Sequence, residues 1–144
     1  MKLMRAVMAG VAGTAAMSAL ILVELVVHLP TVAIGQVLGS SLGLASALPS
    51  VGAELGWVLH FLIGVILALV YAALFVSRLP GAPWMRGVSY GVLVFLLAQV
   101  AFMPFVGGGF FSRGDAELIL GSLLGHLLYG GVVGWVYGKR PTTP

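Results

Sequence analysis

Polar and apolar positions alternate on a long scale along this chain: four apolar stretches of 18 to 25 residues, roughly 6–29, 53–77, 86–103 and 116–138, are separated by segments that collect prolines and charges. About 20 apolar residues in a helix cross the ~30 Å hydrocarbon layer of a bilayer, so the pattern predicts an all-α fold, a four-helix transmembrane bundle occupying residues 1–144 as one domain. All seven prolines fall at the ends of these stretches or between them. There the loss of a backbone donor does least harm in a solvent that offers no hydrogen bonds. The first twenty residues also have the basic start and apolar run of a secretory signal. The run continues through Glu24 to Leu29 without a small-x-small cleavage site, and it is read as a retained span.

Within the spans, one pattern occurs twice. Residues 56–71, GWVLHFLIGVILALVY, align without a gap to residues 122–137, SLLGHLLYGGVVGWVY. Each has a histidine, a glycine four positions on and a tyrosine eleven positions on: His60, Gly64 and Tyr71, then His126, Gly130 and Tyr137. At about 100° per residue these offsets lie within about 40° of one line, so each trio shares a helix face. The two helices run in the same direction, which leaves open a duplicated two-helix hairpin, related by an axis along the membrane normal as parallel repeats are, or chance in a chain rich in Leu, Val and Gly.

Composition adds a boundary. Hydrophobic residues make up 60% and charged residues 8%, and the mean hydropathy of +1.14 lies far from soluble averages. Six of the seven Lys and Arg residues, Lys2, Arg5, Arg78, Arg86, Lys139 and Arg140, fall on one side of the predicted topology, and only Arg113 on the other. Basic residues close to span ends stay cytoplasmic, so both termini and the 78–86 connection are expected inside a bacterial inner membrane. The net charge of +3 is then a topology signal. No basic face with interleaved aromatics offers itself to nucleic acid. With no cysteine, disulfides and thiolate metal sites are excluded.

The polar residues left inside the spans are the candidates for chemistry. Glu24 and His28 stand one turn apart near the outer end of the first span, a spacing for a local pair. Gln99 lies in the outer half of the third span and is expected to bond across to another helix, because an unpaired amide in hydrocarbon costs several kcal/mol. Residues 30–52 are apolar but broken by Gly35, Gly39 and Gly43, which predicts an interfacial helix or a lid over the outer end. In the loop before the last span, Arg113 has Asp115 and Glu117 as partners within reach.

Three uses of the paired histidines compete. His60 and His126, at similar depth on co-directional helices, could fill both axial positions of a b-type haem, with Gly64 and Gly130 making room for its edge. Glu24, His28 and His60 could hold a metal ion. Alternatively Glu24, His28, His60, Gln99 and His126 form a polar network, either structural or lining an ion or small-molecule path. No catalytic constellation is present: no serine–histidine–acid spacing, no HExxH, no phosphate-binding glycine loop. The non-enzymatic expectation is an accessory or assembly subunit whose glycine-rich faces meet another membrane protein or a second copy, in contact with membrane lipids. With its AGTAAM run at Ala12 to Met17 and HxxxG at His60–Gly64 and His126–Gly130, the chain resembles small bacterial four-span inner-membrane proteins. That resemblance implies the same four-helix topology and brings no activity with it.

Overall fold

The computed structural model describes residues 1–41, 43–48 and 51–138; Lys139 and Arg140, two of the residues used for orientation, lie outside them. The elements are α1 (Leu3–Val26), α2 (Ile34–Ser41), α3 (Leu44–Ala47), α4 (Gly52–Val70), α5 (Pro83–Leu97), α6 (Met103–Phe105) and α7 (Ala116–Tyr137). A π-helical turn, Tyr71–Phe75, extends α4, and a second, Ala98–Phe102, joins α5 to α6. Among the described residues four continuous helices, Leu3–Val26, Gly52–Phe75, Pro83–Phe105 and Ala116–Tyr137, are long and apolar enough to cross a membrane. The protein is therefore a multi-pass membrane protein in contact with lipid. One end of the bundle carries Lys2, Arg5, Arg78 and Arg86 and is called here the basic end; Glu54, Asp115 and Glu117 mark the acidic end.

Local signals place the helix ends. Pro83 opens α5 within its first turn, where its missing N–H costs nothing. Asp115 caps α7 by accepting hydrogen bonds from the amides of Glu117 and Leu118, both at 3.1 Å, so it satisfies orphan donors. Arg113 instead donates to the carbonyl of Gly107 at 2.9 Å. At the other end of α1 the chain turns through His28, whose φ is +62°. The Leu29 amide returns to the Glu24 carbonyl at 2.9 Å and the His28 amide to Leu25 at 3.1 Å, the pairing of a Schellman terminator.

Glycine decides which helices are neighbours. A methyl group on Gly91 would run into the His126 carbonyl, and one on Gly134 into the Pro83 carbonyl, while Gly87 and Gly130 block each other. Small residues in membrane helices let backbones approach this closely, and here they weld α5 to α7. Gly10 lies on Val65 and Gly64 on Thr14, which joins α1 to α4; Gly13 lies on Val133 and Gly125 on Met17, which joins α1 to α7. Gly35 and Gly39 of α2 fit against Gly52, Ala53 and Gly56 of α4. The order around the bundle is thus α4, α1, α7, α5, with α2 laid over α4. The glycine-rich faces expected to receive a partner protein are in large part occupied within the chain.

Helices α4 and α5, joined by a short loop and expected to be antiparallel neighbours, meet closely at the basic end alone. There Tyr90 lies 5.2 Å from Tyr71 and 5.0 Å from Phe75, ring centre to ring centre, and its hydroxyl donates to the Leu67 carbonyl at 2.8 Å. Tyr137 completes the cluster against Tyr71 at 6.1 Å. Arg86, expected at the membrane surface, is buried among these residues at 4% exposure and donates from Nη1 to the Val76 carbonyl at 2.8 Å. Beyond this knot α4 and α5 part toward the acidic end, since neither presents a glycine seam to the other.

Candidate functional site

The space left where α4 and α5 separate is a cavity of about 270 Å³ in the acidic half of the bundle. Its wall is mostly aliphatic: Met17 and Ile21 from α1, Ile63 and Leu67 from α4, Val94 and Leu97 from α5. The segment before α2 and α2 itself cover one side through Pro30, Thr31, Val32, Ile34 and Leu38. The stretch expected to act as a lid or interfacial helix therefore forms part of the wall. Among the described residues one carboxylic acid and two histidines face this apolar space: Glu24, His60 and His126.

Each is set by its own helix. His60 is 8% exposed, and its ring meets Trp57 edge-on at 5.6 Å and Phe61 at 6.1 Å. Its Nε2 atom is buried without a hydrogen-bond partner among the described residues. His126 places Nδ1 2.7 Å from the backbone carbonyl of Ser122, one turn back, and its ring against Phe95 at 6.1 Å. A carbonyl only accepts, so Nδ1 carries the proton in this bond and the Nε2 of a neutral ring is left with its lone pair. Glu24 is 8% exposed. Its carboxylate rests against Gly121, where a Cβ would stand 3.1 Å from Oε1. Among the described residues no side-chain hydrogen bond or ion pair holds it.

The remaining sequence candidates go elsewhere. His28 is exposed at the end of α1 and does not line the cavity. Among the described residues no group of three or more His, Asp or Glu side chains is placed to hold a metal ion, so the set Glu24, His28 and His60 is not assembled. Gln99 is buried in the second π-helical turn, and its Oε1 accepts from Ser112 Oγ at 3.0 Å. Its partner is therefore a loop residue and not another helix. Gly64 lines the cavity; Gly130 does not, being taken up by α5. Neither Gln99 nor Glu24 bonds to a histidine, which removes the partners expected to satisfy the imidazoles.

Haem was tested on this geometry. Two imidazoles on one cavity are the right donors, but 270 Å³ is below even the ~300–1,000 Å³ that drug-sized ligands occupy. With Trp57 and Phe95 packed on the two rings, a macrocycle between them does not fit this arrangement.

Sequence reasoning did not find the cavity, because it arises from helix order. The one signal available was the unequal glycine content: α4 turns its glycines to α1 and α2, and α5 turns its own to α7, leaving aliphatic side chains on the seam between α4 and α5. Two further residues of the site were also missed. Tyr129 donates to the Gly64 carbonyl at 2.6 Å and Thr14 to the Gly10 carbonyl at 2.8 Å, and both line the deep end of the cavity.

Comparison with curated proteins and with solved structures gives no match. The family described as DUF6789, a family of unknown function, matches over residues 1–144, and the protein belongs to that family.

Proposed function

We propose that this protein binds a small amphiphilic molecule taken from the bilayer, in the cavity between α4 and α5, without chemical conversion. The observation that carries the reading is the Nε2 atom of His60, buried in an apolar wall with no partner. Leaving such an atom unsatisfied costs roughly 1–3 kcal/mol, and most buried polar groups in native proteins are satisfied. A bound molecule supplies the missing partner. Its apolar part suits the aliphatic wall, and its route is the seam where Ile63 and Leu97, 39% and 58% exposed, flank the opening toward lipid. The site is proposed to lie in the outer leaflet of a bacterial inner membrane, with both termini cytoplasmic. An accessory role for the protein would run through this ligand, since the glycine faces are spent within the bundle.

The test is His60→Phe. Phenylalanine keeps the ring packing on Trp57 and removes the orphan nitrogen. The ligand-free variant is expected to unfold at the same denaturant concentration as the parent or a higher one, and lipid extracts of the purified variant are expected to lose a small molecule that mass spectrometry detects with the parent. A destabilised variant with an unchanged extract would mean that His60 is a structural residue and would defeat the reading.

A further inference from the structure

We propose that the ligand is a single-chain cationic amphiphile whose ammonium group sits on Glu24 and whose chain, running inward past His126 to Tyr129, carries a hydrogen-bonding group where it passes the Nε2 atom of His60. This deepens the reading above and rests on it. Length and width come first. The cavity extends from Glu24 to Thr14 on α1, ten residues, and from Leu118 to Tyr129 on α7, eleven residues, which is about 15 Å along the helix axes. A volume of 270 Å³ spread over that length is an elongated slot, a shape that an extended hydrocarbon chain fills.

Charge comes second. Glu24 lies two residues from the end of α1, at the acidic end of the slot, whereas both histidines stand further in. The carboxylate has no protein partner among the described residues. The cations of the basic end are a bundle length away, and Arg113 is committed to the Gly107 carbonyl. A carboxylate that lines an apolar cavity with no protein partner among the described residues is a natural seat for a cation. An anionic headgroup would add repulsion, and a neutral one would leave the charge unpaired. An ammonium group pairs that charge and gives Glu24 charge-assisted hydrogen bonds.

The deeper polar atoms agree in sign. His126 spends its Nδ1 proton on Ser122 and offers an acceptor at Nε2, and Tyr129 and Thr14 have already directed their protons to backbone carbonyls. These three residues therefore offer acceptors and no free donor. A ligand that donates matches them; a fatty acid, which accepts, does not.

The protein carries a reporter for this site. Trp57 packs on His60, while Trp84 and Trp135 are 55% and 73% exposed and can be replaced by phenylalanine with little effect on stability. In phosphatidylcholine nanodiscs, dodecylamine, dodecanol and dodecanoic acid are titrated against the Trp57-only protein and its Glu24→Gln variant. Dodecylamine is expected to change Trp57 emission saturably and to bind at least about tenfold more tightly than dodecanol. The Glu24→Gln variant is expected to erase that difference while still binding dodecanol, which also reports that the variant is folded. Equal affinity for amine and alcohol, or tightest binding of the acid, overturns the cationic ligand and leaves the chain-binding cavity standing. If no probe moves Trp57 emission in the parent, the ligand-binding reading falls with it. Should Glu24→Gln fail to fold, the ranking of the three probes on the parent decides alone.

Discussion

Tyr129 of α7 donates its phenolic hydrogen to the main-chain carbonyl of Gly64 on α4, at 2.6 Å and across 65 residues of sequence. The contact ties together the two helices that carry the repeated histidine pattern, at the deep end of the cavity they share with α1 and α5. Gly64 has no side chain, and Thr14 packs into the space a Cβ would take there.

Replacing Tyr129 with Phe keeps the ring and removes this bond. Hydrogen bonds between membrane helices are worth about 0.6 kcal/mol on average and up to ~1.7, so the variant is expected to lose about 1 kcal/mol. Denaturation in mixed micelles measures it. A loss above about 3 kcal/mol would mean that the phenol supports more than the carbonyl of Gly64.

Gly130 and Gly131 are adjacent in sequence and opposite in consequence. A methyl group on Gly130 would strike the backbone of Gly87 and Gly91, whereas one on Gly131 would stand 3.4 Å from a methyl of Val88, an ordinary contact. Gly130→Ala is therefore expected to destabilise by about 1–3 kcal/mol or more, as overpacking does. Gly131→Ala is expected to be neutral or slightly stabilising, because alanine is the better helix former. Equal melting temperatures for the two variants would show that α5 and α7 do not approach as described.

His28 illustrates how a reactive residue can hold a purely geometric post. Its left-handed backbone, φ +62°, is the conformation glycine adopts at no cost. His28→Gly is expected to stabilise the protein by several tenths of a kcal/mol to about 1 kcal/mol and to leave dodecylamine binding unchanged. Loss of binding in this variant would return His28 to the site.

The spans were legible because hydrocarbon thickness leaves a long mark. The expected stretches 6–29, 53–77, 86–103 and 116–138 meet Leu3–Val26, Gly52–Phe75, Pro83–Phe105 and Ala116–Tyr137 to within about three residues at each end. The repeated histidine face identified both histidines on the cavity, and Glu24 stood out as the acid within the first span. What the chain did not disclose is pairing. A stripe of glycine reads the same whether α5, α1 or a separate protein lies against it, so the neighbour order and the gap between α4 and α5 were hidden. Nor does periodicity mark the π-helical turn at Ala98–Phe102, which adds a residue to the turn and shifts the face on which Gln99 lies.

The partner of Gln99 was hidden for a related reason. Phe111, Ser112 and Arg113 have φ of +45°, +49° and +56°, a left-handed turn that three non-glycine residues rarely make. The turn brings Ser112, 5% exposed, onto Gln99. Ser112→Ala would leave a buried amide oxygen without its donor, at a cost of about 1–3 kcal/mol, and would release the strained turn. The expected result is faster proteolysis between Gly107 and Gly114, with the four spans intact. Unchanged cleavage would show that the turn is held by its flanking glycines, Gly109 and Gly114, both at positive φ.

The proposed orientation rests on the charges at the ends of the bundle and is open to a direct measurement, because the chain has no cysteine of its own. Lys2, Arg5, Arg78 and Arg86 gather at one end, and the basic end of a polytopic protein stays in the cytoplasm. Ser77 is exposed at that end and Ser40 at the other. In intact bacterial spheroplasts, a membrane-impermeant maleimide is expected to label Ser40→Cys at once and Ser77→Cys after the membrane is broken. The reverse order would place Glu24 and the acidic half of the bundle on the cytoplasmic side, and the amphiphile would then have to come from the inner leaflet. The same fold would serve either leaflet; the four basic side chains argue for the outer one, since burying Arg86 in the tyrosine knot has not removed its charge from that end of the chain.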